Sequence, residues 1–134
     1  MEPVFLSLDE VLEIHQQQIE RYGGSPGIRD AAGLESAVAT PQATFGGEFL
    51  HRSIQAIAAA YLFHLCQNHP FIDGNKRAGA NAAITFPLMN NWEPTFKDQE
   101  LVDLVLSLAA GKLGKPELIE IFESHCKPLE DTAL

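Results

Sequence analysis

Two strongly apolar segments, residues 51–68 and 75–90, flank a short polar loop, and this arrangement constrains the fold more than any other feature of the 134-residue chain. In the first segment Ile54, Ile57, Ala58, Ala59, Ala60, Tyr61, Leu62, Phe63 and Leu65 cover most of a helix circumference, which suits a helix in the middle of a bundle. The second reads as another nearly all-apolar helix from about Asn75 toward Asn90, with alanines and Gly79 permitting close approach to a neighbour. Pro87 cannot donate to the carbonyl of Ala83, so a kink or an early end is expected there.

The rest of the chain also reads as helix. Ser7-Leu8-Asp9-Glu10 has the spacing of a capping box. The helix it opens should run to about Tyr22 and bury one stripe made of Leu8, Val11, Leu12, Ile19 and Tyr22. Gly23-Gly24 ends it. Asp30 can cap a second helix that stops near Thr40, before Pro41. Gly46-Gly47, set between Phe45 and Phe49, suggests a loop or hairpin flap that packs on something or receives an extended partner. Trp92 to Phe96 reads as an extended connector, Asp98 as the cap of a helix through about Ala110, and Pro116 as the first turn of a last helix ending near His125. No strand-forming run stands out, and the tail 130–134 is expected to fray. The expectation is an all-α, single-domain bundle of about six helices with a short flap loop or hairpin, spanning 1–134.

Composition limits the function classes. The formal net charge is −9, which disfavours binding to bulk nucleic acid or to anionic membranes. Two cysteines, Cys66 and Cys126, make no disulfide framework, and the N-terminus lacks the basic and apolar regions of a secretory signal. No apolar stretch reaches the length of a bilayer span, and a cytoplasmic protein is expected. A zinc site drawn from His64, Cys66, His69, His125 and Cys126 lacks standard ligand spacing, so the cysteines read as buried, inert thiols.

The loop carries the chemistry. His69, Asp73, Asn75, Lys76 and Arg77 fall within nine residues, more polarity than a bundle core needs. If Gly74-Asn75 opens a helix, the amides of about Gly74 to Arg77 face outward without partners and form an anion site. Gly74 lets the backbone approach a phosphate, Arg77 supplies a forked donor, and Lys76 adds a compact charge. Cationic side chains at a helix start are mildly unfavourable unless an anion is present. Asp73 is placed to hold Mg²⁺ against phosphates, and capping the next helix is an alternative that can coexist with that role. His69 can serve as general base. Phe71 and Ile72 read as core anchors, and Asn81 can be read as a satisfied core amide. Base, metal ligand and anion cradle together describe phosphoryl or nucleotidyl transfer.

His69-Pro70-Phe71-Ile72-Asp73-Gly74-Asn75-Lys76-Arg77 resembles the signature of the Fic/Doc family, His-x-Phe-x-Asp/Glu-Gly/Ala-Asn-Lys/Gly-Arg. Arg21-Tyr22-Gly23-Gly24, Gly27-Ile28-Arg29-Asp30 and Gly33-Leu34-Glu35-Ser36-Ala37 resemble the N-terminal region of its Doc toxin branch. The resemblance implies ATP and Mg²⁺ as cofactors. It makes His69 the base that takes a proton from a target Ser or Thr, Asp73 the Mg²⁺ ligand, and Gly74, Asn75 and the backbone around Lys76 the anion hole. Arg77 would clamp phosphate oxygens and Asn81 would orient the nucleotide or the loop.

Two chemistries share the family fold. Adenylylating members usually carry Gly at the place of Lys76 and a second Arg at the place of Ala80. Lys76 and Asn81 instead match Doc, in which ATP binds in the reversed sense and the γ-phosphate is presented. Pro70 and Gly74 look like the adenylylating motif. On Lys76 and the missing arginine, a kinase is favoured over an adenylyltransferase. A phosphocholine or UMP donor and a non-catalytic interaction module that kept the fold are the remaining alternatives.

The branch further implies a toxin that modifies a translation factor, such as elongation factor Tu. The flap residues Phe45, Gly46 and Gly47 would border the substrate. The nearest match to the family's inhibitory segment, Thr44 to Glu48, lacks its final Gly or Asn and lies in the flap. Inhibition by an antitoxin protein in trans is therefore expected, docked in the groove beside the flap.

Overall fold

The computed structural model describes residues 1–129; the expected fraying at 130–134 lies outside the described residues. Among the described residues six α-helices follow one another: α1 (Leu8–Tyr22), α2 (Ala31–Ala39), α3 (Ile54–Asn68), α4 (Asn75–Met89), α5 (Asp98–Ala109) and α6 (Lys115–Ser124). Four short strands form two antiparallel pairs, β1 (Thr44–Phe45) with β2 (Glu48–Phe49) and β3 (Trp92–Pro94) with β4 (Cys126–Pro128). The all-α expectation is met, with six helices.

α3 is the axis of the bundle. Ala56 to Leu62 and Leu65 are buried, and α2, α4 and α6 pack around it. α4 lies close because Gly79 faces it: an added Cβ would sit 3.2 Å from Leu62 Cδ1 and 3.4 Å from the Leu62 carbonyl oxygen. Tyr61 ties the chain start to this axis, its hydroxyl accepting from the Leu6 amide at 3.0 Å. Burial pushes that hydroxyl's pKa up to about 12. Phe86 packs between Tyr61 and Phe5, and Phe5 in turn meets Phe49 of the hairpin.

The capping signals hold. Ser7 and Glu10 form a reciprocal box at α1, Asp30 caps α2, and Gly23 ends α1 at φ 83°. Other expectations need correction. α3 starts at Ile54 rather than His51, because Ser53 Oγ accepts from the Ala56 amide. Lys97, not Asp98, is the cap residue of α5. Pro87 does not end α4 early. The helix continues to Met89, where Asn90 closes it by donating to the Phe86 carbonyl and pairing with both backbone groups of Val4.

The stripe on α1 is also different. Leu8 and Tyr22 are exposed, while His15 and Gln18 join Val11 in the interior. The connector after α4 is a strand paired with β4, invisible locally because its partner lies more than thirty residues away and both strands contain proline. No helix among the described residues is long and apolar enough to cross a membrane.

Burial and the adjacent Lys115 ammonium lower the pKa of His64 to about 4, and His51 is lowered by the same two causes. An unfolded histidine protonates near 6.5, whereas folded His64 resists protonation until about pH 4. Folding stability from this group is therefore complete above pH 6.5 and declines as pH falls through that window. Denaturation midpoints measured between pH 7 and pH 5 should fall less in His64→Gln than in the parent chain. Parallel curves would count against this origin.

Candidate active site

The loop leaves α3 by an abrupt reversal at His69. This residue ends the helix in the left-handed conformation, φ 48° and ψ 52°, a strained choice for a residue other than glycine, with a cost of about 1 kcal/mol or more. Several contacts hold it there. Arg29 Nε donates to the His69 carbonyl at 2.6 Å and Arg29 Nη2 to the Asn68 carbonyl at 3.0 Å, placing a cation on the negative end of α3. The segment 27–30 runs beside the loop. The amides of Arg29 and Asp30 donate to the Pro70 carbonyl, and the Ile72 amide donates to the Gly27 carbonyl. Phe71 is fully buried, and its ring stacks on His15 with centroids 3.7 Å apart and planes 4° apart. Burial of such a ring is worth about 2–3 kcal/mol, enough to outweigh the strain at His69. Ile72, expected as a second anchor, is exposed instead.

Asn75 is the buried polar hub. Its Oδ1 accepts from the Phe71 amide at 2.9 Å, and its Nδ2 donates to the Phe71 carbonyl at 2.9 Å. The same Nδ2 lies 3.0 Å from His69 Nδ1. With Oδ1 committed as acceptor, Nδ2 donates to the imidazole, so the neutral ring carries its proton on Nε2. Working as a base at Nε2 requires the other tautomer, and the contact with Asn75 must loosen as the proton is taken.

α4 begins at Asn75 behind Gly74, which takes φ 79° and has no side-chain cap of its own. The Gly74 amide donates to Asp73 Oδ1. Among the described residues no acceptor faces the amides of Asn75, Lys76 and Arg77. They open on a cleft of about 260 Å³ lined by His69, Ile72, Asp73, Gly74, Asn75, Lys76 and Arg77. His69, Asp73 and Lys76 are exposed there. Among the described residues, neither Lys76 nor Arg77 pairs with a carboxylate. The helix dipole and two side chains thus make a local positive pole on an acidic protein.

Arg77 is oriented by its neighbours. Its guanidinium donates to the carbonyls of Gly23 at 3.0 Å and Gln18 at 3.4 Å, at the C-terminal end of α1, and its other N–H groups have no acceptor among the described residues. Asp73 uses Oδ2 to accept from the Ser25 amide at 3.3 Å. Both carboxylate oxygens retain free lone pairs. One exposed carboxylate beside an anion cradle suits Mg²⁺, which takes one or two carboxylates and completes its shell with phosphate oxygens and water. Asp73 does not cap α4; Gly74 stands at that position.

Asn81 and the flap stand apart from the cleft. Asn81 Nδ2 donates to the Arg77 carbonyl, one turn back on its own helix. Gly46 and Gly47, both at positive φ, form the two-residue turn of the β1–β2 hairpin. Phe49 packs on Phe5, whereas Phe45 is 83% exposed. Burial raises both thiols to pKa values of about 11. A larger cleft, about 510 Å³, lies between α1 and residues 26–28 and is lined mostly by apolar groups, with His15 and Phe71 among them.

The fold, and a loop of this kind between the two central helices, are those of the Fic/Doc class of proteins. The sequence comparison agrees: the profile of the Fic/DOC family matches residues 5–87, and the chain belongs to that family. It is 33% identical over 109 residues to the protein kinase doc of Escherichia phage P1, which spans 81% of this chain and 85% of that protein. It is also 44% identical over 69 residues to the toxin Doc of Mycolicibacterium smegmatis, across 52% of this chain and 53% of that one.

The sequence marked Gly24 as part of a helix stop and placed Gly24 and Arg29 in family-like stretches without linking them to the loop, and it did not mark His15 or Ser25. His15 could have been found as a histidine four residues from both Val11 and Ile19 on the inward stripe. Gly24 sits at φ 115°, and a Cβ there would lie 2.7 Å from Asp73 Oδ2 and 3.2 Å from Arg77 Nη2. Gly24→Ala should therefore displace Asp73 and Arg77 and destabilise the fold by about 1–3 kcal/mol. Chemical denaturation measures the stability change; an unaltered midpoint would show that the two side chains are not packed against Gly24 as described.

Proposed function

We propose that this chain is the toxin of a toxin–antitoxin pair and a protein kinase that moves the γ-phosphate of ATP to a Ser or Thr of a translation factor such as elongation factor Tu. The observation that carries this reading is the row of open amides at the start of α4, with an exposed imidazole and carboxylate at its lip. Similarity to a protein named as a kinase supports the choice of reaction. Work on a translation factor would place the protein in the cytoplasm.

His69 takes the proton of the target hydroxyl as the oxygen forms a bond to the γ-phosphorus. The bond from that phosphorus to the β–γ bridging oxygen breaks, and its electron pair leaves with ADP. The amides of Asn75, Lys76 and Arg77 face the polyphosphate, stabilising negative charge without reorganising. Lys76 occupies part of the phosphate site, and Arg77, steadied by the carbonyls of Gln18 and Gly23, offers its remaining donors. Asp73 would hold Mg²⁺, which when bound neutralises charge on the phosphate oxygens. Asn81 would act on the nucleotide only through the backbone of Arg77. The exposed Phe45, with Gly46 and Gly47, forms a surface for the protein substrate. An antitoxin supplies restraint in trans.

Pro70 and Gly74 favour a second reading, transfer of AMP to the same kind of hydroxyl. Incubation of a cell extract with the protein and either γ-³²P- or α-³²P-ATP separates the two. Label from the γ position alone is expected. Label from the α position alone would make the protein an adenylyltransferase. His69→Ala should cut transfer by about 10²–10⁴-fold with helical content unchanged. Growth arrest on expression that persists in His69→Ala, with no label from either isotopomer, would point to a non-catalytic interaction module.

A further inference from the structure

We infer that His15 is a positioning residue for the catalytic loop, acting on Asp73 and Gly74 through the loop backbone. The inference rests on the kinase reading for its consequence, though not for its geometry. His15 lies in the middle of α1, far from the motif in sequence, and is only 5% exposed. A buried histidine must place its ring nitrogens, and Nε2 is 2.7 Å from the carbonyl oxygen of Asp73. The carbonyl can only accept, so Nε2 carries a hydrogen and donates. The ring face lies flat on Phe71, the buried anchor of the same loop. Its Cδ2–Nε2 edge also faces Gly74, where an added Cβ would stand in ordinary contact with Cδ2 and Nε2 at 3.5 Å.

Two constraints on the loop therefore converge on one ring. Stacking fixes the depth of the loop, and the hydrogen bond fixes the plane of the Asp73–Gly74 peptide. Glycine at the entry to α4 is required by its φ of 79° and by Ile19 Cδ1, which would lie 3.2 Å from an added Cβ. That peptide carries the Asp73 carboxylate on one side and the Gly74 amide on the other, and the Gly74 amide itself bonds the carboxylate. Rotating the peptide would swing the proposed metal ligand and break the Gly74 amide's bond to it, just ahead of the open amides of α4. His15 touches neither the cleft's open face nor the reacting atoms; it does not line the cleft that holds His69.

Two variants separate positioning from bulk packing. His15→Phe keeps a flat ring for stacking and loses the donor, whereas His15→Gln keeps a donor and loses the stack. A merely structural role ranks them by stability, with His15→Gln the worse. Positioning ranks them the other way: phosphoryl transfer falls about tenfold or more in His15→Phe, with a higher Mg²⁺ requirement, and less in His15→Gln.

A readout independent of activity is the backbone amide of Gly74, followed by NMR chemical shift and hydrogen exchange. It should move in His15→Phe and stay near the parent position in His15→Gln. An unchanged Gly74 amide and unchanged transfer in His15→Phe would overturn the inference. If His15→Phe fails to fold, His15→Gln decides alone: a Gly74 amide displaced in a folded protein that retains the donor would overturn it. Should the parent chain transfer nothing from ATP while the Gly74 amide responds as expected, the kinase reading falls and the positioning role stands.

Discussion

Everything at the site depends on how the chain gets from α3 to α4 while leaving the first amides of α4 open. A helix start normally satisfies its amides with a capping side chain or water. Here Gly74 offers no side chain, Asp73 turns its carboxylate to Gly74 and Ser25, and Asn75 turns inward to the backbone of Phe71. The cradle is open because each polar side chain that could have closed it is engaged elsewhere. The cost appears as left-handed backbone at His69 and as cations at the positive end of a helix dipole. It is offset by burial of Phe71 and by the bracket that residues 27–30 and α1 place around the loop.

This bracket explains why the motif alone does not make the site. Arg29 neutralises the end of α3, Gly24 allows Asp73 and Arg77 to approach α1, and the end of α1 receives the Arg77 guanidinium. The family profile covers residues 5–87, and it is within this stretch that α1 and the segment before α2 act on the loop. α5 and α6 complete the core, in which Leu108, Leu118 and Phe122 are buried.

The sequence revealed features whose causes are local. Capping residues, glycine stops and the apolar surfaces of α3 and α4 gave the helices, and the nonapeptide 69–77 marked the candidate site. What escaped was set by contacts between distant segments. His15 looks like an ordinary polar residue until the loop lands on it, and Leu8 and Tyr22 look buried until α1 rotates to present His15 and Gln18. The pairing of β3 with β4 joins opposite ends of the C-terminal half, and Asn90 offsets the effect of Pro87 by reaching Val4 near the chain start. Lys76 and Arg77 were legible as a mismatch with the dipole, but the grip of α1 on Arg77 was not.

The central claim is that the start of α4 holds a nucleotide's polyphosphate. A crystal structure of the protein with Mg²⁺ and a non-hydrolysable ATP analogue tests it most directly. The account predicts phosphate oxygens about 2.7–3.1 Å from the amides of Asn75, Lys76 or Arg77, with His69 beside the terminal phosphate. A nucleotide seated instead in the cleft between α1 and residues 26–28, with those amides still facing solvent, would contradict it.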